Sequence, residues 1–350
     1  MRKTALWLML AAAASLMAAT PSVSRPQERP DLMTFFRDTV GLTAGQISSI
    51  QNGRAVAKVM KSQTPEEVFL FGVVFIRATP ESLLKLSQDL DYVRKQPEFL
   101  AIENFHDPPQ LSDLKGFELD PDEIQDLKNC KPGNCEIQIP ADSMEALQQS
   151  INWSAPNVNE QVNQLVQKSV LNHLLAYQTG GDPILGTYND KPMPTEVSKE
   201  FERLLNFSKT LPQYLPEFHR YLLDYPKGKP ANTEDRFYWS KVKFGLKPTL
   251  RVVQVVTFSG SPQDEIAYAI AEKQIYSSHY FKAALDLKFC IRGDDPKRPG
   301  FYLILAMGSS QAGLTGFKGT IVRMVGVNRS VASLRDGLVE TKDELEKNPR

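Results

Sequence analysis

The sequence predicts an α+β fold: an antiparallel sheet packed against one long C-terminal helix, with a helical block inserted in the chain. Three observations carry this. From Phe237 the apolar residues recur with period two, giving four strand-like runs, TLRVVQVVTF, AIAEKQIYSSHYF, ALDLKFCIR and GFYLILAMG. Their connectors, at Ser259–Pro262, Lys282-Ala283 and Gly293–Pro296, are short and rich in turn residues, which suits antiparallel neighbours. From Ile321 to Lys347 the spacing changes. Met324, Val327, Val331, Leu334, Leu338, Thr341 and Leu345 step by three and four, an apolar stripe made to lie on a sheet. Between these regions and the N-terminal part, Ala141 to Tyr225 reads as helices broken at Pro156, Gly180-Gly181, Pro192–Pro194 and Pro212.

The elements follow in order. Residues 1–24 pair a short basic start, Arg2 and Lys3, with an apolar run from Ala5 to Ala19, the layout of a secretory signal peptide. That run is shorter than the roughly 20 residues a spanning helix needs, so the expectation is an exported protein, periplasmic or extracellular, with no transmembrane anchor after signal removal. Residues 25–30 form a Pro-rich, disordered leader. Residues 31–119 hold N-terminal helices in DLMTFFRDTV and TAGQISSIQNGRAVAKVM, a first strand at Glu66–Ala78, and a helix opened by the Thr79 cap and Pro80. The strand is apolar on consecutive residues and should be buried on both faces. Residues 120–226 are the helical insertion, beginning at a capped helix start, Asp120-Pro121-Asp122-Glu123. Residues 227–350 complete the α+β domain.

Composition narrows the function classes. Lys+Arg and Asp+Glu both number 41 in 350 residues, and no basic stripe is visible, so nucleic acid is not an expected partner. Cys130 and Cys135 bracket the turn sequence Lys-Pro-Gly-Asn, which brings their sulfurs close enough for a local disulfide. A loop that small contributes about 2 kcal/mol in the chain-entropy picture. Cys290, in LDLKFCIR, reads as a buried strand thiol. The four histidines show no metal-binding helix spacing, and the acidic cluster at Asp120 lacks the alternating ligands of a calcium loop. Neither metal nor cofactor is expected. Gly308–Thr315 matches a phosphate loop at both glycines and the threonine, but Leu314 stands in the lysine position, so a glycine loop joining the last strand to the last helix is the better reading. Arg292-Gly293-Asp294 is explained by turn chemistry alone.

One stretch combines polar and aromatic groups. In QIYSSHYF, strand alternation sets His279 with Ile275, Ser277 and Phe281, and sets Tyr276 and Tyr280 with Ser278 on the opposite face. Whichever face points inward carries a polar group among aromatics, as ligand pockets do. Tyr276, His279 and Tyr280 are therefore the candidate ligand-binding residues. The competing reading is a hydrogen-bonded core histidine. No G-x-S-x-G elbow accompanies any histidine.

FIRATPESLLKLSQDLD, leading from the first strand into a helix, and TIVRMVGVNRSVASLRDGLVETKDELE at the end resemble the START-like, polyketide-cyclase-type helix-grip superfamily. The phrases DLKNCKPGNCEIQIP and IYSSHYFKAALDL also resemble exported bacterial proteins of no established function. The helix-grip resemblance covers both ends of the domain, about half the chain, and not the insertion. It implies a curved sheet gripping the long C-terminal helix, with a cavity between them for a lipid, sterol or polyketide-like molecule. Gly326 and Gly337, inside that helix, suggest close packing or a bend over such a cavity. Three functions follow: a binding or carrier protein for a hydrophobic small molecule or lipid; a cyclase- or hydrolase-type enzyme using His279 with a neighbouring tyrosine as acid and base; and a partner-binding protein acting through the helical insertion.

Overall fold

The computed structural model describes residues 31–243, 247–312 and 316–347, with side chains throughout except in 316–325. The signal peptide and leader lie outside the described residues, as do Gly313, Leu314 and Thr315 of the glycine loop. Among the described residues there are ten strands: β1 (Val56–Met60), β2 (Glu67–Ile76), β3 (Phe99–Asn104), β4 (Thr187–Tyr188), β5 (Thr195–Glu196), β6 (Thr233–Lys243), β7 (Pro248–Ser259), β8 (Ile266–Ser277), β9 (Phe281–Arg292) and β10 (Phe301–Gln311). Eight form one antiparallel sheet in the order β1-β2-β10-β9-β8-β7-β6-β3, and β4 pairs with β5. The meander β6 to β10 pairs each strand with the next, as short connectors dictate.

β2 explains how the layers are built. All ten of its residues are buried, because each face of the strand is covered. On one face Phe71, Val73 and Phe75 meet Phe36, Val40 and Ile50 of the N-terminal helices. On the other, Val68, Leu70, Val74 and Ile76 join Leu334, Leu338 and Leu345 of the Gly316–Lys347 helix. Those three leucines belong to the stripe read from the sequence, with Val327 and Val331 partly buried beside them. The helix approaches closest at Gly72: a Cβ there would stand 2.8 Å from Leu338 Cδ1 and 3.0 Å from Leu334 Cγ. Gly326 and Gly337 show no such contact, since a Cβ on either would meet nothing within 4 Å. The expectation of close packing at those two positions is therefore corrected, and the close-approach glycine is on the strand.

The segment between β3 and β6 carries the helices Pro121–Leu127, Ala141–Ser150, Val158–Gly180, Val197–Phe207, Leu211–Tyr214 and Pro216–Asp224. Asp120 and Glu123 form the capping box that the sequence signalled, Asp120 N–H donating to Glu123 Oε2 at 2.7 Å. Phe201, Phe218, Tyr177 and Leu222 pack against Trp239, Val252, Val256 and Ala271 of the sheet in one continuous core. Cys130 and Cys135 are disulfide-bonded, and Cys290 is buried on β9 with its thiol pushed up by burial.

Several boundaries differ from expectation. The second N-terminal helix ends at Gln51, where Gly53 takes a left-handed conformation (φ +74°), and Val56–Met60 is the edge strand β1 rather than helix. Its Ala, Lys and Met favour helix in isolation, but pairing with β2 overrides that preference. β3 has no alternating apolar face, being an edge strand with only Ile102 buried, and β6 begins ahead of Phe237 with the charged residues Glu234–Arg236. Neither reads as a strand from its pattern. β4 and β5 interrupt the expected run of helix between Ala141 and Tyr225. β10 extends to Gln311, so Gly308, Ser309 and Ser310 are strand, not loop.

Candidate functional site

The β8–β9 turn occupies Ser278–Tyr280, not Lys282-Ala283. His279 and Tyr280 thus lie in the turn, and the alternation assumed for them does not apply. Ser278 N–H donates to Leu250 O at 2.8 Å and its hydroxyl accepts from Leu250 N at 3.0 Å, which holds the turn onto β7. Tyr280 sits at φ +66°. That places its hydroxyl where Lys247 N–H donates to it at 2.9 Å.

His279 is 4% exposed, with both ring nitrogens occupied. Nε2 is 2.5 Å from Glu123 Oε1 and Nδ1 is 3.0 Å from Glu136 O. The ring thus bridges a side-chain carboxyl and a backbone carbonyl, one on each nitrogen. Glu123 meanwhile caps its own helix through Oε2. The pair therefore fastens the Pro121–Leu127 helix to the β8–β9 turn. Tyr276 packs edge-on against Tyr188 (ring centroids 6.5 Å apart), and burial drives its phenol upward. The His279 and Tyr280 rings lie 5.7 Å apart at a tilt of 47°, and Tyr276 feels the charge of the same Glu123 that His279 holds, but none of the three lines the apolar pocket described next.

That pocket, of about 350 Å³, opens between the sheet and two helical pieces. Its floor is β2, β10 and β9, through Phe69, Phe71, Ala306, Gly308, Leu287 and Phe289. Its walls are the N-terminal helices, through Phe35 and Val40, and the Leu204–Tyr214 segment. Phe69 stacks flat on Phe207 with centroids 3.5 Å apart. Gly308 is tight here: a Cβ would stand 2.9 Å from Phe69 Cε1. The polar groups at the rim are few, among them Lys209, Thr210 and Glu265. The pocket lies on the face of the sheet turned away from the Gly316–Lys347 helix, since its β2 residues Phe69 and Phe71 alternate with those packed on that helix. The sequence signal that could have found it is the run of aromatics on one side of β2 and in FFRDTV.

A second polar cluster joins the helices to the sheet. Lys273, wholly buried on β8, pairs with Asp182 and lies 4.8 Å from the Phe201 ring centroid. Tyr177 donates to Gln254 Oε1 at 2.6 Å, Gln254 to Asp235 Oδ1 at 3.0 Å, and Tyr221 to Asp235 Oδ2 at 2.6 Å. Burial pulls the Lys273 ammonium down and pushes the Asp182 carboxyl up. With each group partnered, the cluster acts as a polar anchor for the helices.

Among the described residues no group of His, Cys, Asp or Glu could hold a metal ion, and no helix is long and apolar enough to cross a membrane. No protein-family model matches the chain, and no curated protein matches it significantly.

Proposed function

We propose that this protein binds a hydrophobic small molecule or lipid in the pocket between β2, β10 and β9 and the N-terminal and Leu204–Tyr214 helices. The observation that carries the reading is the pocket itself: about 350 Å³, within the range of small-molecule sites, lined by aromatic and aliphatic side chains with polar groups confined to its rim. A signal-peptide-like start and the Cys130–Cys135 disulfide favour an exported carrier or receptor. The helix-grip reading is supported by strand order. From β2, two short helices (Pro80–Gln88 and Leu90–Arg94) precede β3, the sheet returns through β6 to β10, and one long helix closes the chain. The favoured pocket, however, is on the face opposite that helix. The ligand-binding reading is preferred over acid–base catalysis at His279, because both nitrogens of that ring are already engaged in the core.

Native protein purified from its own host, extracted with organic solvent and examined by mass spectrometry, is expected to release a hydrophobic compound. Purified protein should also raise the fluorescence of N-phenyl-1-naphthylamine, and A306F, which fills the floor of the pocket, should weaken that binding about tenfold or more. Extracts matching the blank, together with equal probe binding by A306F and wild type, would refute the proposal.

A further inference from the structure

The face of the sheet on which the long helix lies carries a row of charged groups that neither the pocket nor the anchor uses. Glu272 on β8 and Asp286 on β9 stand directly opposite each other across the ladder. Two carboxylates so placed repel. Lys288 Nζ pairs with Glu272 Oε1, and the Tyr238 hydroxyl donates to Glu272 Oε2 at 3.2 Å, while Lys288 and Arg251 act on Asp286 only through their charge. Asp286 takes part in no hydrogen bond or ion pair among the described residues, although its side chain is only partly exposed. One pleat further along β8 and on the same face is Gln274. It is 5% exposed, and its Nε2 has no partner among the described residues. Gln274 lies one residue past Lys273, the last β8 residue paired with β9 (to Leu285), which sets it beside Asp286 on the same face. Beside them Val253, Val255, Ile270 and Leu84 make an apolar wall.

We propose that this face holds a second ligand site, which takes an apolar molecule bearing a hydroxyl group. The chemistry follows from what each residue lacks. A buried amide N–H without an acceptor is destabilising, and an oxygen atom placed before Gln274 removes that cost. Above about pH 7, where Asp286 is ionised, its carboxylate accepts, and the same oxygen's O–H supplies the donor. A hydroxyl satisfies both at once. A protonated amine offers Gln274 no acceptor, a ketone offers the ionised Asp286 no donor, and an anion would meet the Asp286 and Glu272 carboxylates. The burial that leaves the Asp286 carboxyl raised to about 7, next to Glu272, marks the same spot as one built for a partner. The site is separate from the pocket on the opposite face and does not depend on it.

The test uses 2-naphthol and 2-methoxynaphthalene, which share a ring and differ in the O–H, titrated into the full chain by fluorescence and calorimetry at about pH 8, where Asp286 is the carboxylate and 2-naphthol keeps its proton. Wild type is expected to favour 2-naphthol by about tenfold, as a hydrogen bond to a charged acceptor implies. D286L and Q274L, each checked for a cooperative melt, should lower that preference to about twofold or less. A306F, in the opposite pocket, should leave it unchanged while weakening N-phenyl-1-naphthylamine binding. Equal affinity of wild type for both naphthalenes, a preference kept by both D286L and Q274L, or its loss in A306F would each overturn the proposal. The last outcome would move hydroxyl recognition to the opposite pocket, whereas an unchanged naphthylamine affinity in A306F would count against the pocket reading alone.

Discussion

Gly72→Ala tests how the long helix is held. Gly72 lies in a strand conformation that any residue adopts, so the cost of the change is steric. The added methyl would stand 2.8 Å from Leu338 Cδ1, 3.0 Å from Leu334 Cγ and 3.1 Å from Leu334 Cδ2. Leu338 is 0% exposed and Leu334 is 7% exposed, so neither side chain has room to swing clear. Overpacking of this kind costs about 1–3 kcal/mol. Replacing a strand glycine by alanine returns about 0.5–1 kcal/mol of backbone entropy. The net expectation is a loss of about 1–2 kcal/mol, read as a lower urea midpoint with unchanged slope. Leu338→Ala alone should cost about 2–5 kcal/mol through its cavity. The double variant should lose less than the sum by at least about 1 kcal/mol, because the methyl added at position 72 enters the space that Leu338 leaves. A neutral or stabilising Gly72→Ala, or strict additivity, would show that the helix does not rest on Gly72.

Three further outcomes are expected. Glu123→Ala removes the hydrogen-bond partner of His279 Nε2 and half of a capping box, and should cost about 2–4 kcal/mol in urea unfolding; Glu123→Gln, which keeps the cap, should cost less. Cys130→Ser with Cys135→Ser should lower stability by about 2 kcal/mol and leave the far-ultraviolet spectrum unchanged. Asp286 is raised to about 7 by burial and by Glu272, against the lowering influence of Lys288 and Arg251. The folded state therefore holds a proton that the unfolded chain has released, and the stability from this group is full below about pH 4 and is lost as pH rises through about 7. Its partly open surroundings screen the effect to on the order of 1–2 kcal/mol between pH 5 and 7. Asp286→Asn should flatten that slope, and a slope equal to wild type would contradict the shift.

The fold was legible where one physical signal dominated. β2 announced itself by an unbroken apolar run, and the last helix by its stripe, because burial on both faces of a strand or on one face of a helix leaves a period in the sequence. β6, an inner strand, was hidden by its charged start at Glu234–Arg236, and β1 and β3 were not legible for the opposite reason. An edge strand needs no apolar period, and Ala57, Lys58 and Met60 of β1 suit a helix until β2 pairs with them. The Cys130–Cys135 bridge is local, so its turn residues sufficed. The sites were harder. His279 was found, but its partner Glu123 lies 156 residues earlier in the chain, a distance no local pattern reports. Asp286 and Gln274 look like ordinary alternating polar positions in LDLKFC and AEKQIY. Only the register that sets Asp286 against Glu272 makes them unusual.

The pairing of β2 with β10 has a consequence for how the chain is made. Glu67–Ile76 finds its inner neighbour only when Phe301–Gln311 has left the ribosome, near the end of synthesis. Until then the most apolar strand has β1 alone beside it, and closing so long a loop costs about 5 kcal/mol of chain entropy. The nascent protein therefore stays incompletely folded, and threadable through a narrow pore, for most of its translation. The same delay leaves VFLFGVVFI exposed as an aggregation-prone segment. Yield in a cell should accordingly follow chaperone supply more closely than the stability of the finished fold.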